Sequence, residues 1–181
     1  LRPANYPEMN PGWGTVIKPA VTGESIGVIN LEGRVFMRPL DCPFIKAKEE
    51  TEKLKTRAKI VIVDIHAEAT SEKKALGWFL DGQVTAVLGT HTHVQTADEE
   101  VLPAGTAYIT DVGMTGPFDS VIGIKTDSIL ERFLTQVPNR FDVAKKNIRL
   151  QGVVIDVDEK TGKSRAIQRI SVKLDDRQGE S

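Results

Sequence analysis

Several residue types that often carry function are scarce in this sequence. Its single cysteine, Cys42, excludes an internal disulfide and any CxxC zinc module or iron–sulfur cluster built from this chain alone. Lysine and arginine number 24 against 25 aspartates and glutamates, so no net positive charge attracts a polyanion over long range. No apolar run approaches the ~20 residues that cross a bilayer. These features predict a cytoplasmic protein with no membrane partner, for which nucleic acid is not a favoured partner.

The length of 181 residues suits one domain, or a large part of one, with a real hydrophobic core. Residues 1–14 are rich in proline and glycine, which is typical of a loop. Cys42 directly precedes Pro43 and has no histidine near it in sequence, which favours a small buried side chain over a nucleophile. A dimer or tetramer is compatible with this composition.

The first half of the sequence predicts a β-hairpin, then an exposed helix and then a buried strand. Residues 25–37 read as a β-hairpin that turns at Glu32 and Gly33. Residues 43–58 carry proline at the first helical position and charges of both signs at helical spacing, so they predict an exposed helix. Residues 59–65, KIVIVDI, form a short run of β-branched residues that is typical of a strand covered on both faces.

The rest of the chain continues this alternation. We predict a helix capped by Thr70 or Ser71, buried strands over 84–91 and 106–114, a capped helix over 126–136, and a hairpin over 147–174 that turns at 159–162. Residues 175–181 read as disordered. Strand, helix and strand in alternation predict an α/β fold with a layered sheet.

All three histidines of the chain lie at the C-terminal ends of two of the predicted strands. His66 comes directly after KIVIVDI, and His91 and His93 follow VTAVLG. In open α/β sheets, ligands bind beyond the carboxyl ends of the strands, where neighbouring loops converge. If the two strands are neighbours, the three imidazoles meet, and imidazole is a common ligand for Zn, Mn and Fe.

The spacing of the histidines strengthens this interpretation. Residues two apart on an extended strand point to the same side, about 6.6 Å apart at ~3.3 Å per residue. His91 and His93 could therefore hold one ion together, or one each of two ions. Nearby carboxylates could fix the ring tautomers as hydrogen-bond acceptors; the candidates are Asp64, Glu68 and Asp98.

Other readings of these histidines remain open or are excluded by the sequence. A histidine after a strand is commonly a surface or core residue without function. An HExxH motif is absent, which argues against a zincin. His66 and Glu68 imitate the HxE of zinc deaminases, but a PCxxC motif is missing. Val94 and Gln95 break the metallo-β-lactamase pattern, and the predicted helices contradict an all-β cupin. Phosphoester hydrolysis at two metal ions stays open.

Four segments of the sequence closely resemble the motifs of one family. They are RPANYP (2–7), DIHAEATSEK (64–73), GTHTHVQTAD (89–98) and TDVGMTGPFDSVIG (110–123). Together they resemble the YmdB-like bacterial branch of the calcineurin-like metallophosphoesterases, which are described as 2′,3′-cyclic nucleotide 2′-phosphodiesterases. The resemblance covers essentially the whole chain in order, and it implies an αββα metallophosphoesterase sandwich.

The resemblance also implies roles for the histidines. His66 is implied to bind one metal ion, His91 the same ion, and His93 a second ion beside it. Two transition metal ions are implied as cofactors, of Fe, Mn or Zn.

The family pattern also contains motifs that this sequence lacks. An Asp, a bridging Glu, Asn ligands and the general-acid histidine precede RPANYP in the family. We therefore expect residues 1–181 to be the C-terminal part of one metallophosphoesterase domain that lacks its first strands and retains no catalytic residue. The N-terminal portion is then needed to complete the site.

Four further residues are predicted to contact substrate. Arg2 and Asn5 belong to RPANYP, while Met114 and Thr115 lie in a loop with two glycines that could approach a phosphate. The same loop also reads as a tight turn, and Arg2 as a solvated residue.

These residues and the resemblance lead to one expected function. It is hydrolysis of small cyclic nucleotide phosphoesters by a hydroxide held between two metal ions. The alternative is a non-catalytic nucleotide- or RNA-binding signalling module on the same fold.

Overall fold

A computed structural model describes residues 1–174. Twelve helices and strands follow one another in these residues: β1 (Thr15–Pro19), β2 (Ser25–Glu32), α1 (Pro43–Lys55), β3 (Ile60–His66), α2 (Thr70–Phe79), β4 (Ala86–Thr90), β5 (Glu100–Val101), β6 (Ala107–Ile109), β7 (Thr115–Pro117), α3 (Thr126–Thr135), β8 (Ile148–Val157) and β9 (Ser164–Lys173). The disorder predicted for residues 175–181 lies outside the described residues. No helix among those described is both long and apolar enough to cross a membrane.

The larger sheet has six strands in the order β1-β2-β3-β4-β6-β5. Its four central strands are parallel, and the antiparallel strands β1 and β5 lie at its edges. Val61, Val63 and Ile65 of β3 are completely buried, whereas the alternate residues of the strand are only partly buried. One face of β3 is therefore fully covered, and the other face, which was also predicted to be covered, is covered only in part. The predicted neighbouring position of β3 and β4 is confirmed, so both strands end at the same edge of the sheet.

A second sheet packs against the first. It has the antiparallel order β7-β8-β9, and its β8–β9 pair is the hairpin predicted from the sequence. Ser164 Oγ donates to the Thr85 carbonyl at 2.8 Å, and Thr85 Oγ1 donates to the Gly162 carbonyl at 2.7 Å. These buried bonds join the two sheets, and α1 and α2 pack on the larger one. The α/β fold class predicted from the sequence is confirmed.

The hairpin predicted over residues 25–37 is wrong. β2 instead pairs antiparallel with β1, a strand that the sequence analysis did not identify, and parallel with β3. At Gly33 the chain leaves the sheet, and its N–H donates to the His66 carbonyl at 2.9 Å. A Cβ at Gly33 would lie 2.5 Å from both Ala67 Cβ and Glu72 Oε2, so glycine here permits a close approach and not a turn.

Two smaller expectations also need correction. The strand predicted over 106–114 ends at Ile109, because the next residues bond to side chains: Thr110 N–H donates to Asp98 and Asp111 N–H donates to Thr96. The predicted capping of α2 by Thr70 or Ser71 is wrong, and the capped helix predicted over 126–136 has no side-chain cap at its N-terminus. Ala69 and Lys125 occupy the N-cap positions, and neither makes a side-chain capping bond.

Candidate metal centre

His66 and His91 meet at the carboxyl edge of the larger sheet. The parallel register places His66 opposite Thr90, so the residue that follows β4 lies beside the last residue of β3. His66 Nε2 and His91 Nδ1 are 3.0 Å apart, and the two rings cross at 85° with centroids 4.7 Å apart. The predicted convergence of imidazoles from two neighbouring strands is therefore confirmed for this pair.

The tautomer of His66 is set by a chain of hydrogen bonds. Asp64 accepts from Asn30 Nδ2 at 2.7 Å and from Thr90 Oγ1 at 2.9 Å. Since the Thr90 proton goes to Asp64, the Thr90 oxygen accepts from His66 Nδ1 at 3.2 Å. The Nε2 lone pair of His66 consequently faces His91 and the cleft. Asp64 thus orients His66 through one hydroxyl, a close variant of the direct contact expected from sequence.

Burial also favours the neutral form of the His66 ring. Its pKa is lowered from 6.5, first because the half-buried ring loses solvation and second because of the charge on the neighbouring His91. A neutral imidazole with a free Nε2 is the form that binds a metal ion.

His91 is held from two sides. Its Nε2 lies 3.0 Å from Glu68 Oε2, as expected for a carboxylate that orients an imidazole. Its backbone has φ 106°, a conformation that is costly for a residue with a side chain. The next residue stabilises this conformation, since Thr92 donates both its N–H (2.9 Å) and its hydroxyl (2.7 Å) to Asp111 Oδ2.

His93 occupies a different environment. Its Nδ1 lies 3.2 Å from the Ile122 carbonyl, in the segment before α3. The expectation that His91 and His93 project from an extended strand is wrong, because both residues have positive φ. Within residues 1–174, no group of three or more His, Cys, Asp or Glu side chains is arranged to hold one ion.

The donor chemistry of the His66–His91 pair fits a metal ion. Two nitrogen ligands of a tetrahedral zinc ion, each ~2.0–2.1 Å from the metal, are about 3.4 Å apart. His66 Nε2 and His91 Nδ1 are separated by 3.0 Å, and the Glu68 carboxylate contacts the other nitrogen of the His91 ring. His66 and His91 are therefore the two residues whose positions suit a shared ion.

A buried ion pair supports the histidine loop, and the sequence analysis missed it. Lys73 Nζ on α2 lies 3.1 Å from Asp111 Oδ2, and both side chains are completely buried. Asp111 also accepts the two bonds from Thr92, so Lys73 stabilises the conformation of the loop at one remove. The signal was present in the sequence: a lysine on the apolar face of a predicted helix calls for a buried partner.

The sequence analysis also missed Glu32, which lines an open cleft of about 460 Å³ together with His66 and His91. Glu32 ends β2 directly opposite His66, and its buried carboxylate accepts from Tyr6 OH at 2.6 Å. This bond raises the pKa of Tyr6. Arg38 forms an ion pair with Glu32 at 3.4 Å. The full lining of the cleft is Glu32, Phe36, Met37, Arg38, His66, Glu68 and His91.

The four predicted substrate-binding residues lie outside that lining. Arg2 lines a separate cleft beside Trp13. Asn5 is completely buried, and its amide bonds to the backbone of Glu32 (2.8 and 3.0 Å) and to the Asp41 carbonyl, so it positions the end of β2.

The other two residues of that group adjoin the second sheet. Met114 N–H donates to Gln151, and Thr115 begins β7, where it is exposed.

Two further side chains depart from the expected contacts. Asp98 accepts from Thr96 at 2.6 Å and from the hydroxyl and N–H of Thr110, so it braces the loop after β6 and contacts no histidine. Cys42 is only partly buried at the N-terminus of α1, with Arg34 Nη2 at 3.5 Å from its sulfur.

Comparison with known proteins decides the family. The family model described as YmdB-like protein matches residues 1–170. The chain belongs to the YmdB-like family. A relative from Bacillus subtilis (strain 168), named 2′,3′-cyclic-nucleotide 2′-phosphodiesterase, is 53% identical over 176 residues. That match covers 97% of this chain and 66% of the relative, so the chain spans slightly less than two thirds of that protein's length.

Solved structures of similar proteins share the fold of this YmdB-like chain. A hypothetical protein from Thermus thermophilus has a TM-score of 0.88 at 44% identity, over 96% of this chain and 67% of that one. A structure described as a novel phosphatase from Mycoplasma pneumoniae has a TM-score of 0.86 at 38% identity, over 98% of this chain and 65% of that one.

Proposed function

We propose that this chain is part of a metal-dependent phosphodiesterase that hydrolyses phosphoesters of small cyclic nucleotides. One observation carries the proposal: the facing nitrogens of His66 and His91, 3.0 Å apart at the ends of neighbouring parallel strands. The name of the Bacillus relative supports the same substrate class. The shared length supports a role for residues 1–181 as one part of a longer metallophosphoesterase domain.

The proposed cofactors are two transition metal ions, of Fe, Mn or Zn. His66 and His91 would hold one ion, and His93 would bind the second. Bound ions would supply charge neutralisation for an in-line displacement at phosphorus and would make a water molecule acidic enough to act as nucleophile.

The residues of this chain would prepare that site. Asp64 and Thr90 keep the His66 proton on Nδ1, so Nε2 is free to bind. Glu68 orients His91, and Asp111 holds the backbone of the loop in its strained conformation. We assign no catalytic acid to the described residues, and we propose that the longer protein provides one.

Substitution of His91 by alanine tests this proposal in the full-length protein. Hydrolysis of a nucleoside 2′,3′-cyclic phosphate should fall by more than the ~10–100-fold that is typical for the loss of a group supporting a ligand. The metal content measured by elemental analysis should fall with it. Exposed Lys145→Ala serves as the control and should leave both unchanged.

Two results would overturn the proposal. Undiminished turnover by the His91→Ala protein would show that this imidazole has no part in the reaction. A wild-type protein that binds a nucleotide but carries no transition metal and hydrolyses no phosphodiester would favour the alternative, a non-catalytic nucleotide- or RNA-binding module.

A further inference from the structure

Residues 33–38, which we call the Phe36 loop, are fastened to the same strand end that carries His66. Gly33 N–H donates to the His66 carbonyl at 2.9 Å. The buried carboxylate of Glu72 on α2 accepts the N–H groups of Arg34 (3.1 and 3.2 Å) and Val35 (3.2 Å). Three backbone groups of this loop are thus held by the fold, which fixes the loop against the histidine edge of the sheet.

The loop exposes the Phe36 side chain and holds its backbone in an energetically unfavourable conformation. Its side chain is 89% exposed although it is large and apolar, and its backbone has φ 60°. A non-glycine residue in the left-handed region costs of order 1–3 kcal/mol and tends to occur at functional sites. Phe36 lines the cleft that also contains His66 and His91, so the strained backbone presents a free aromatic face beside the candidate metal centre.

Arg38 lines the same cleft and is held there by side-chain contacts with Tyr6 and Glu32. Its guanidinium lies 5.4 Å from the centre of the Tyr6 ring and 3.4 Å from Glu32 Oε1, which limits its orientation. The side chain is nevertheless 70% exposed, so it keeps donors open to the cleft. A guanidinium held in this way suits a planar or tetrahedral oxyanion such as a phosphate.

We propose that Phe36 and Arg38 form the nucleotide recognition site of this protein: Phe36 stacks on the nucleobase, and Arg38 binds the phosphate oxygens. This inference rests on the proposed function and deepens it, because it separates base recognition from the chemistry at the histidines. Stacking on an aromatic ring is tolerant of base identity, so the site should accept purine and pyrimidine nucleotides alike.

Kinetics with two substrates test the role of Phe36 in the full-length protein. One substrate is adenosine 2′,3′-cyclic phosphate, and the other is ribose 2,3-cyclic phosphate without a base. Phe36→Ala should raise KM for the adenosine substrate about 10-fold or more, which is within the usual effect of removing a stacked ring. It should leave kcat unchanged and should have no effect on KM for the base-free substrate. Phe36→Trp should retain the wild-type KM, and Val35→Ala is the matched control.

Arg38→Gln has a different expected signature. It should raise KM for both substrates by a similar factor, since both carry the phosphate and only one carries the base. An unchanged KM for both substrates would remove Arg38 from the proposal, and an equal change in KM for both substrates on Phe36→Ala would remove Phe36.

Equilibrium binding separates this inference from the proposed function. Calorimetric titration with adenosine 3′-monophosphate and with ribose 3-phosphate measures recognition without turnover. The inference predicts that Phe36→Ala weakens only the adenosine ligand, and equal affinity of wild type and variant for that ligand would overturn it. Failure of the proposed function appears differently, as absence of turnover by the wild-type protein with either substrate.

Discussion

Two helices of ten residues each, α2 and α3, show how unevenly this fold supports its candidate site. α2 packs on the larger sheet and buries four residues: Glu72, Lys73, Leu76 and Gly77. α3 buries none, and its apolar side chains Leu130, Phe133 and Leu134 are 50–84% exposed. Through Glu72 and Lys73, α2 therefore holds two loops of the cleft, although neither helix contributes a proposed ligand. The apolar side chains of α3 are left exposed.

The same contrast separates the histidines. His66 and His91 stand at the ends of strands that α2 and its buried charges stabilise. His93 faces Ile122, in the segment that leads to α3. A site built on both regions would combine a rigid half with a half whose packing within the described residues is sparse. The predictions below test that difference, from the largest expected effect to the smallest.

Removing Lys73 should cause the greatest loss of stability. Lys73→Met leaves the completely buried carboxylate of Asp111 without its cation, and breaking such a pair typically costs about 3–5 kcal/mol. Urea unfolding measures the loss. Its neighbour Lys74 provides the control, because it is 42% exposed and pairs with Glu100 at the surface, so Lys74→Met should cost less than about 1 kcal/mol. Similar losses for both variants would contradict the role assigned to the buried pair.

Leucine truncation compares the two helices directly. Leu76→Ala in α2 removes a completely buried side chain and should cost about 2–5 kcal/mol in the free energy of unfolding. Leu134→Ala in α3 removes one that is 84% exposed and should change it by no more than about 0.5 kcal/mol. A large loss at Leu134 in the isolated protein would show that the apolar face of α3 is covered in solution.

Acidification should reveal the depressed pKa of His66 as the smallest effect. Because this pKa lies below 6.5 in the folded protein, the unfolded chain binds more protons between the folded value and about 6.5. Stability should therefore fall as the pH drops through that window and should be unaffected above it. Urea unfolding of chelator-treated protein between pH 5 and 8 tests this. His66→Gln should flatten the dependence, and an identical slope in that variant would refute the assignment.

The sequence predicted the elements that rely on local pattern and missed those that rely on contacts between distant residues. The run of β-branched residues before His66 identified β3, and the alternation of strands and helices made β4 a candidate neighbour, which the parallel pairing confirms. The hairpin expected at Glu32 and Gly33 was wrong, since the glycine serves a close approach to Ala67 that no local pattern reveals.

The candidate site shows the same limit. The convergence of His66 and His91 followed from strand order, but Phe36, Arg38 and Glu32 join the cleft through contacts with residues far along the chain, including Glu72 and Tyr6. The position of His93 depended on positive φ values, which are uncommon for residues other than glycine and which Asp111 supports here through Thr92.

The most direct test is a crystal structure of the full-length protein with anomalous diffraction measured at the absorption edge of the metal found in it. The account predicts an anomalous peak about 2.0–2.2 Å from His66 Nε2 and a similar distance from a ring nitrogen of His91. A peak bound by neither histidine, or no peak in protein that hydrolyses the cyclic nucleotide, would contradict it.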